Sequence, residues 1–246
     1  MGLTPAHEEI LRGSHLFAGI APATYSPLLQ SLQARTIRVE SGEPLLLAGE
    51  PPRFMGLMLS GHAHIHRESV TGDLALIATL EKGELFAETL CLAGLPASPM
   101  TVVAHGACEY LRLPMAGLFP WGFGFGPKYV EQTVRGQFPP ESPIPAYQSR
   151  LRTNLLRIMA QKNLYLQSRM DILSARSIRE KVLRFLEPYA KAGSSFTVPL
   201  NREQMAAYLC VDRSALSHEL MRMEADGLLT YKKNRFTLLS GGKSKE

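Results

Sequence analysis

The chain is poor in cysteine and has no long apolar run. Its three cysteines, Cys91, Cys108 and Cys210, form no CxxC and no usable pairing pattern. That fits a reducing compartment and argues against a four-cysteine iron–sulfur cluster within one chain. No stretch of about 18 apolar residues occurs, so no membrane span and no membrane partner are expected. The opening MGLTPAHEEILRG lacks a charged-then-apolar signal pattern, which makes the cytoplasm the expected location. GxSxG, the P-loop and the glycine-rich dinucleotide fingerprint are all missing, so no enzyme is expected. No internal repeat or low-complexity tract is visible.

What is present is a segregation of charge. Residues 1–146 hold 9 Lys and Arg against 13 Asp and Glu, a net of −4. Residues 147–246 hold 18 against 9, a net of +9. Only the back half is suited to meet a polyanion.

The basic half ends in NREQMAAYLCVDRSALSHELMRMEADGLLTYKKNRFTLL, residues 201–239. Asn201 and Gln204 have the spacing of a capping box. Met205, Ala206 and Leu209 mark one apolar helical face. Asp212 is a good N-cap for a second helix, whose buried side would be Leu216, Leu220 and Met223. Gly227 would end it. Two short strands, 228–231 and 236–239, then flank Lys232, Lys233, Asn234 and Arg235, a hairpin with Asn at the tight position. Helix, turn, helix and basic hairpin make a winged helix-turn-helix. Its second helix would present Arg213, Ser214, Ser217 and His218 to base edges in a major groove. Arg202, Lys232, Lys233 and Arg235 would contact double-stranded DNA beside it, the hairpin cations along phosphates. Cys210, in the turn, reads as a small buried residue rather than a redox brake.

The front half begins with helical spacing over 5–17 and 22–32. From Arg35 short alternating runs are punctuated by glycines, the texture of an antiparallel β roll or barrel. Met55, Leu57, Leu59, Ala63 and Ile65 are expected inward. Further strands are expected at 74–80, 100–104 and 110–113. His62, His64 and His66 alternate on one strand face. They suit a solvated face, or a metal such as zinc. Residues 117–146 are rich in glycine, proline and aromatics. They read as an irregular loop, or as a lid carrying Trp121, Phe123 and Phe125.

Tyr147 to Leu173 lacks glycine and proline and carries two apolar stripes. Leu151, Leu155, Ile158 and Tyr165 form one. Leu156, Met159, Leu166, Met170 and Leu173 form the other. A helix apolar on two sides is buried on two sides. One side would pack on the roll and the other on a second copy. The first stripe is assigned to the dimer interface. A two-fold dimer suits a palindromic operator. Residues 177–189 form a further amphipathic helix, and 196–200 a short strand.

The expected fold is α+β. A double-stranded β-helix (a jelly-roll-like β roll) covers 1–116, and an irregular loop follows over 117–146. The dimerisation helix covers 147–175 and the winged helix-turn-helix 176–246. This order resembles the Crp/Fnr family of bacterial transcription regulators. LFAGI at 16–20, MGLMLSGHAHIHRES at 55–69 and LEKGELFAETLCLAGLP at 80–96 resemble its opening, central strands and effector cassette. LSARSIREKVLRFL at 173–186 and YLCVDRSALSHELMRMEADGLL at 208–229 resemble its hinge and reader.

The resemblance implies a homodimer whose reading helices reorient when an effector binds between roll and long helix. RNA polymerase is a further partner that such a regulator could touch. In cyclic-nucleotide-binding members the cassette has Gly before Glu, then Arg and Ser on the cyclic phosphate. Here Phe86 and Glu88 stand, but Ala87 replaces Gly and Ala97 replaces Arg. Without that arginine a buried phosphate would lack a counter-charge. The effector is therefore expected to be a small molecule other than cyclic AMP or GMP. Phe86, Glu88, Ser98 and Thr101 would line its pocket, with Lys162 and Asn163 approaching from the long helix. Asn163 could equally set helix register. Some family members hold haem, and Cys91 and His105 raise that question without a supporting spacing. No haem or metal cofactor is expected. The remaining alternative is a ligand-binding or catalytic β roll with an incidental helical tail.

Overall fold

The computed structural model describes residues 3–69, 72–119, 145–190 and 194–239. The chain divides into two compact units between Ala160 and Gln161.

In the first unit Thr4 caps helix α1 (Pro5–Gly13) through a capping box closed by His7. The far ring nitrogen of His7 lies 3.0 Å from Glu109, so the cap is also anchored to the sheet. A 3-10 turn, His15–Phe17, follows. A second such turn, Pro22–Thr24, leads into α2 (Tyr25–Ser31). The two helical stretches expected from spacing are thus each a helix joined to a tighter turn.

The sheet contains β1 (Arg35–Val39), β2 (Pro44–Leu46), β3 (Phe54–Glu68), β4 (Leu74–Leu80), β5 (Leu85–Phe86) and β6 (Thr101–Pro114). Its main path runs β1-β6-β3-β4, all antiparallel, with β2 on β6 and β5 on β3. The two runs expected at 100–104 and 110–113 are one strand. β3 and β6 pair along almost their whole length, with register shifts between Met58 and His62. Gly61 sits there with φ +67°. A Cβ on it would meet the Ala107 carbonyl at 2.5 Å, so the close crossing requires glycine.

This irregularity changes which side the odd-numbered residues face. Met55, Leu57 and Leu59 pack under the helices, with Leu11, Phe17, Leu28 and Leu32. Beyond Gly61, Ala63 and Ile65 pack inside the roll with Phe54, Met58, Phe86 and Tyr110. All five residues expected inward are packed in an apolar core, but in two different ones, since an extra residue in a strand inverts its alternation.

After the short α3 (Glu88–Leu92) and β6, a helical turn α4 (Met115–Leu118) packs against Leu32. Part of the expected loop is therefore helix. The suggested lid residues Trp121, Phe123 and Phe125 lie outside the described residues. Helix α5 (Ala146–Ser174) starts in the first unit. Leu151 and Leu155 are 0% and 1% exposed, within the core formed by the unit's own helices and strands. Burying each is worth about 2 kcal/mol. They cannot serve as dimer contacts, and their assignment to that interface is corrected. Ile158 also packs against this core. Tyr165 is exposed, as are Leu156, Leu164, Leu166 and Met170, the last at 70%. Among the described residues no helix is long and apolar enough to cross a membrane.

The second unit is built on α6 (Ile178–Leu186), β7 (Phe196–Thr197), α7 (Arg202–Leu209), α8 (Arg213–Ala225), β8 (Leu229–Lys232) and β9 (Arg235–Leu238). Ile172 at the end of α5 joins their core with Val182, Phe185, Leu209, Leu216, Leu220 and Met223. The three strands form a small sheet in the order β7-β9-β8. The strand expected over 196–200 is shorter than its pattern suggested.

Candidate nucleic-acid interface

The caps of the two reader helices are the ones their sequence demands. The Asn201 side chain accepts from the amide of Gln204, and the Gln204 side chain accepts from the amide of Asn201, both at 2.9 Å. Asp212 starts α8 by accepting from the amides of Ser214 at 2.8 Å and Ala215 at 3.1 Å. The Ser214 hydroxyl donates to the same carboxylate at 2.5 Å. That hydroxyl, then the Ala215 and Ser214 amides, hold the Asp212 carboxyl below the usual carboxylate range. Gly227, at φ +71°, closes α8, and the Leu228 amide donates back to the Met223 carbonyl.

Between the caps Cys210 takes φ +51° and is exposed. The expectation that it is buried is corrected. The tight turn turns its side chain to solvent.

Leu216, Leu220 and Met223 face the core. The opposite side of α8 presents Arg213, Ser214 and His218, all exposed, and the half-buried Ser217. The side chains of Arg213 and His218 make no hydrogen bond or ion pair among the described residues. Ser217 donates to the Arg213 carbonyl at 2.9 Å, an i−4 bond that leaves its oxygen free to accept. Met221 and Arg222 extend the same exposed side toward the helix end. Sequence reasoning did not single them out, although both follow from the spacing of His218.

The hairpin turns at Lys233 and Asn234, with Lys232 opposite Arg235. Lys233, not Asn234, takes the left-handed conformation, at φ +57°. Asn234 instead donates its side-chain amide to the Val198 carbonyl at 3.0 Å and accepts from the Val198 amide through its own carbonyl. Lys232, Lys233 and Arg235 are exposed. Like charges directly across a strand pair repel, so Lys232 and Arg235 form a seat suited to an anion.

Arg202 is different. Its Nη2 donates to the Lys233 carbonyl at 3.1 Å, and its guanidinium lies 5.1 Å from the Tyr231 ring centre. Burial pulls its pKa down. It braces the hairpin from within. Part of its guanidinium thus holds the wing, on the same hairpin that carries the exposed cations.

In the first unit the cassette residues Phe86, Glu88 and Ser98 are buried, and Thr101 is half-buried. The Phe86 ring lies over Gly56, where a Cβ would come within 2.0 Å of it. It also meets the Tyr110 ring edge-on at 5.4 Å, and Tyr110 stacks on Phe54 at 6.2 Å. The Ser98 hydroxyl donates to the Met100 carbonyl at 2.7 Å, and Thr101 accepts from the Ala48 amide at 3.1 Å. Ala97 is exposed. Ala87 is held at φ +61°, the glycine-favouring region. Lys162 and Asn163 are exposed on α5 and belong to the second unit.

The Cys91 thiol is buried and donates to the carbonyls of Pro52 and Phe54, at 3.1 and 3.0 Å. Burial, then the nearby Glu88, push it up to about 12. His105 lies elsewhere, exposed on β6, with its ring 4.3 Å from that of His64 and 5.0 Å from that of His62. Desolvation, then His105, His66 and His62, lower the His64 pKa. Among the described residues no cluster of His, Cys, Asp or Glu is arranged to hold a metal.

The sequence matches the family model of a cyclic nucleotide-binding domain over residues 36–119. It matches that of a Crp-like helix-turn-helix domain over 180–241. The two stretches together span more than half of the chain. The chain belongs to the Crp/Fnr family. It is a DNA-binding transcription regulator of a family of regulators rather than enzymes. No curated protein matches it. Among solved structures, the catabolite activator protein of Thermus thermophilus is 21% identical over 92% of this chain and 93% of its own, with a TM-score of 0.47. DNR from Pseudomonas aeruginosa is 18% identical over 98% and 97%, also at 0.47. The Xanthomonas campestris c-di-GMP responsive global regulator CLP is 15% identical over 88% and 100%, at 0.40.

Proposed function

We propose that this regulator works in the cytoplasm as a homodimer that reads a two-fold symmetric operator. The observation that carries the reading is the exposed side of α8. It presents Arg213, Ser214, Ser217 and His218 at and after a hydrogen-bonded cap, and the hairpin of the same unit presents Lys232, Lys233 and Arg235, all exposed. Arginine can grip guanine by two parallel bonds, while lysines hold phosphate without regard to sequence. The exposed apolar residues of α5, from Leu156 to Met170, support a second copy as the partner of that helix.

The effector is a small molecule other than a cyclic nucleotide, seated at the Phe86, Glu88, Ser98 and Thr101 cassette. Ala97 at the arginine position and the local commitment of the Ser98 hydroxyl support this. Binding biases two arrangements of the dimer by its differential affinity for them.

Genomic binding sites should be mapped and the recovered palindrome titrated against random DNA across a salt series. A steep salt dependence with a clear preference for the palindrome supports the reading. Equal affinity for both, under every effector condition tried, overturns it. Micromolar or tighter cyclic AMP binding by calorimetry overturns the effector class alone.

A further inference from the structure

The carbonyl end of α7 is held by cations from two other helices of the second unit. Arg169, on α5, donates through Nη1 to the Tyr208 carbonyl. Its guanidinium carbon also lies 3.9 Å from the centre of the Tyr208 ring. Lys181, on α6, donates to the Leu209 carbonyl at 3.3 Å. The last carbonyls of a helix have no partner within it, and a cation there meets the negative end of the helix dipole. The very next residue is the left-handed Cys210, and Asp212 already caps α8. The aim of α8 is therefore set across a turn of very few residues.

We propose that Arg169 is a positioning residue for the reading helix, tying the end of α5 to the turn that aims α8. The proposal rests on the DNA-reading function above. It assigns a side chain that touches no nucleic acid a share in operator affinity. Only arginine joins a flat cation that stacks on a ring to a fork of N–H donors. Other contacts hold the remaining helices independently. Arg184 on α6 binds the Asp171 carboxylate at 2.6 Å, and Arg179 binds Glu219 at 2.7 Å and Asp226 at 2.6 Å on the α8 side. The core beneath, with Val182, Leu209 and Leu220, does not include Arg169. Loss of Arg169 should loosen the turn and leave the fold standing.

The test uses the full chain and the variants Arg169→Gln, Arg169→Lys and Tyr208→Phe. Hydrogen exchange is followed at the amides of Cys210 and Val211, which bond to Ala207 and Ala206. Both Arg169 variants are expected to raise exchange there by about tenfold, with the rest of the unit unchanged. Tyr208→Phe, which keeps ring and carbonyl, is expected to behave as the parent. Affinity for the mapped operator should fall by about tenfold in the Arg169 variants at an unchanged salt slope.

Unchanged exchange in Arg169→Gln overturns the proposal, whether or not the chain binds DNA. Exchange rising throughout the unit overturns it too, since that is loss of fold. A lower salt slope overturns it by making Arg169 a phosphate contact. Raised exchange at the turn in a chain whose parent has no operator preference sinks the regulator reading and leaves the clamp in place.

Discussion

Asn154 on α5 donates its side-chain amide to the carbonyl of Leu16 at 2.9 Å, and to that of Ala18 at 2.8 Å. Asn154 and Leu16 are buried, so the first bond satisfies a carbonyl shielded from water, while Ala18 is exposed. They lock the start of the long helix to the turn after α1. Asn154→Ala should lower the stability of the first unit by about 1–2 kcal/mol, because the buried Leu16 carbonyl loses its donor. Urea unfolding followed by a probe in that unit measures it. A loss below about 0.5 kcal/mol would mean the carbonyls find other partners.

The Asp212 cap should titrate. Its folded pKa lies below the unfolded value, so its stabilisation is complete above the ordinary carboxylate range near pH 4. It is lost as pH falls through the depressed folded value. Asp212→Asn keeps an acceptor that does not ionise. The parent should therefore lose stability on acidification faster than Asp212→Asn, with the two curves parallel above about pH 5. Denaturant midpoints from about pH 6 to 3 compare them.

Arg213 and Lys232 should fail differently. Arg213→Ala should cost about 1–3 kcal/mol on the mapped operator and relax selectivity at one base position. Lys232→Ala should weaken all sequences alike and reduce the salt slope by about one. Titration of operator and random duplexes at several salt concentrations separates the two. Equal selectivity of Arg213→Ala and the parent would remove α8 from base reading.

The two stripes of α5 should also part. Leu166→Lys, on the exposed side, should shift the chain from dimer to monomer in light scattering without loss of thermal stability. Leu155→Ala should instead cost about 3 kcal/mol of stability, as a fully buried leucine does. A Leu166→Lys chain of unchanged mass would leave the exposed stripe without the partner proposed for it.

The parts legible in the sequence are those decided within a few residues. The Asn201–Gln204 and Asp212 caps follow from spacing of three, and the core side of α8 from a period of 3.6. The parts that were not legible depend on what approaches from afar. The face of Met55, Leu57 and Leu59 depends on a bulge set by the approach of Ala107 and Cys108 to Gly61. The two stripes of α5 were visible, but which one the roll would take depends on packing against Leu11 and Phe17. Arg202 looked like any other cation near the hairpin. Only the position of Tyr231 and of the Lys233 carbonyl turns it inward. Lys233 in the left-handed region runs against local preference, and Asn234 is held elsewhere by Val198.

Of the three thiols, Cys91 and Cys108 are buried and Cys210 alone meets solvent. A maleimide dye added to the folded protein should therefore attach once per chain, in the bend just ahead of Asp212. Its emission would report the arrival of a duplex at α8 in real time, with no engineered handle.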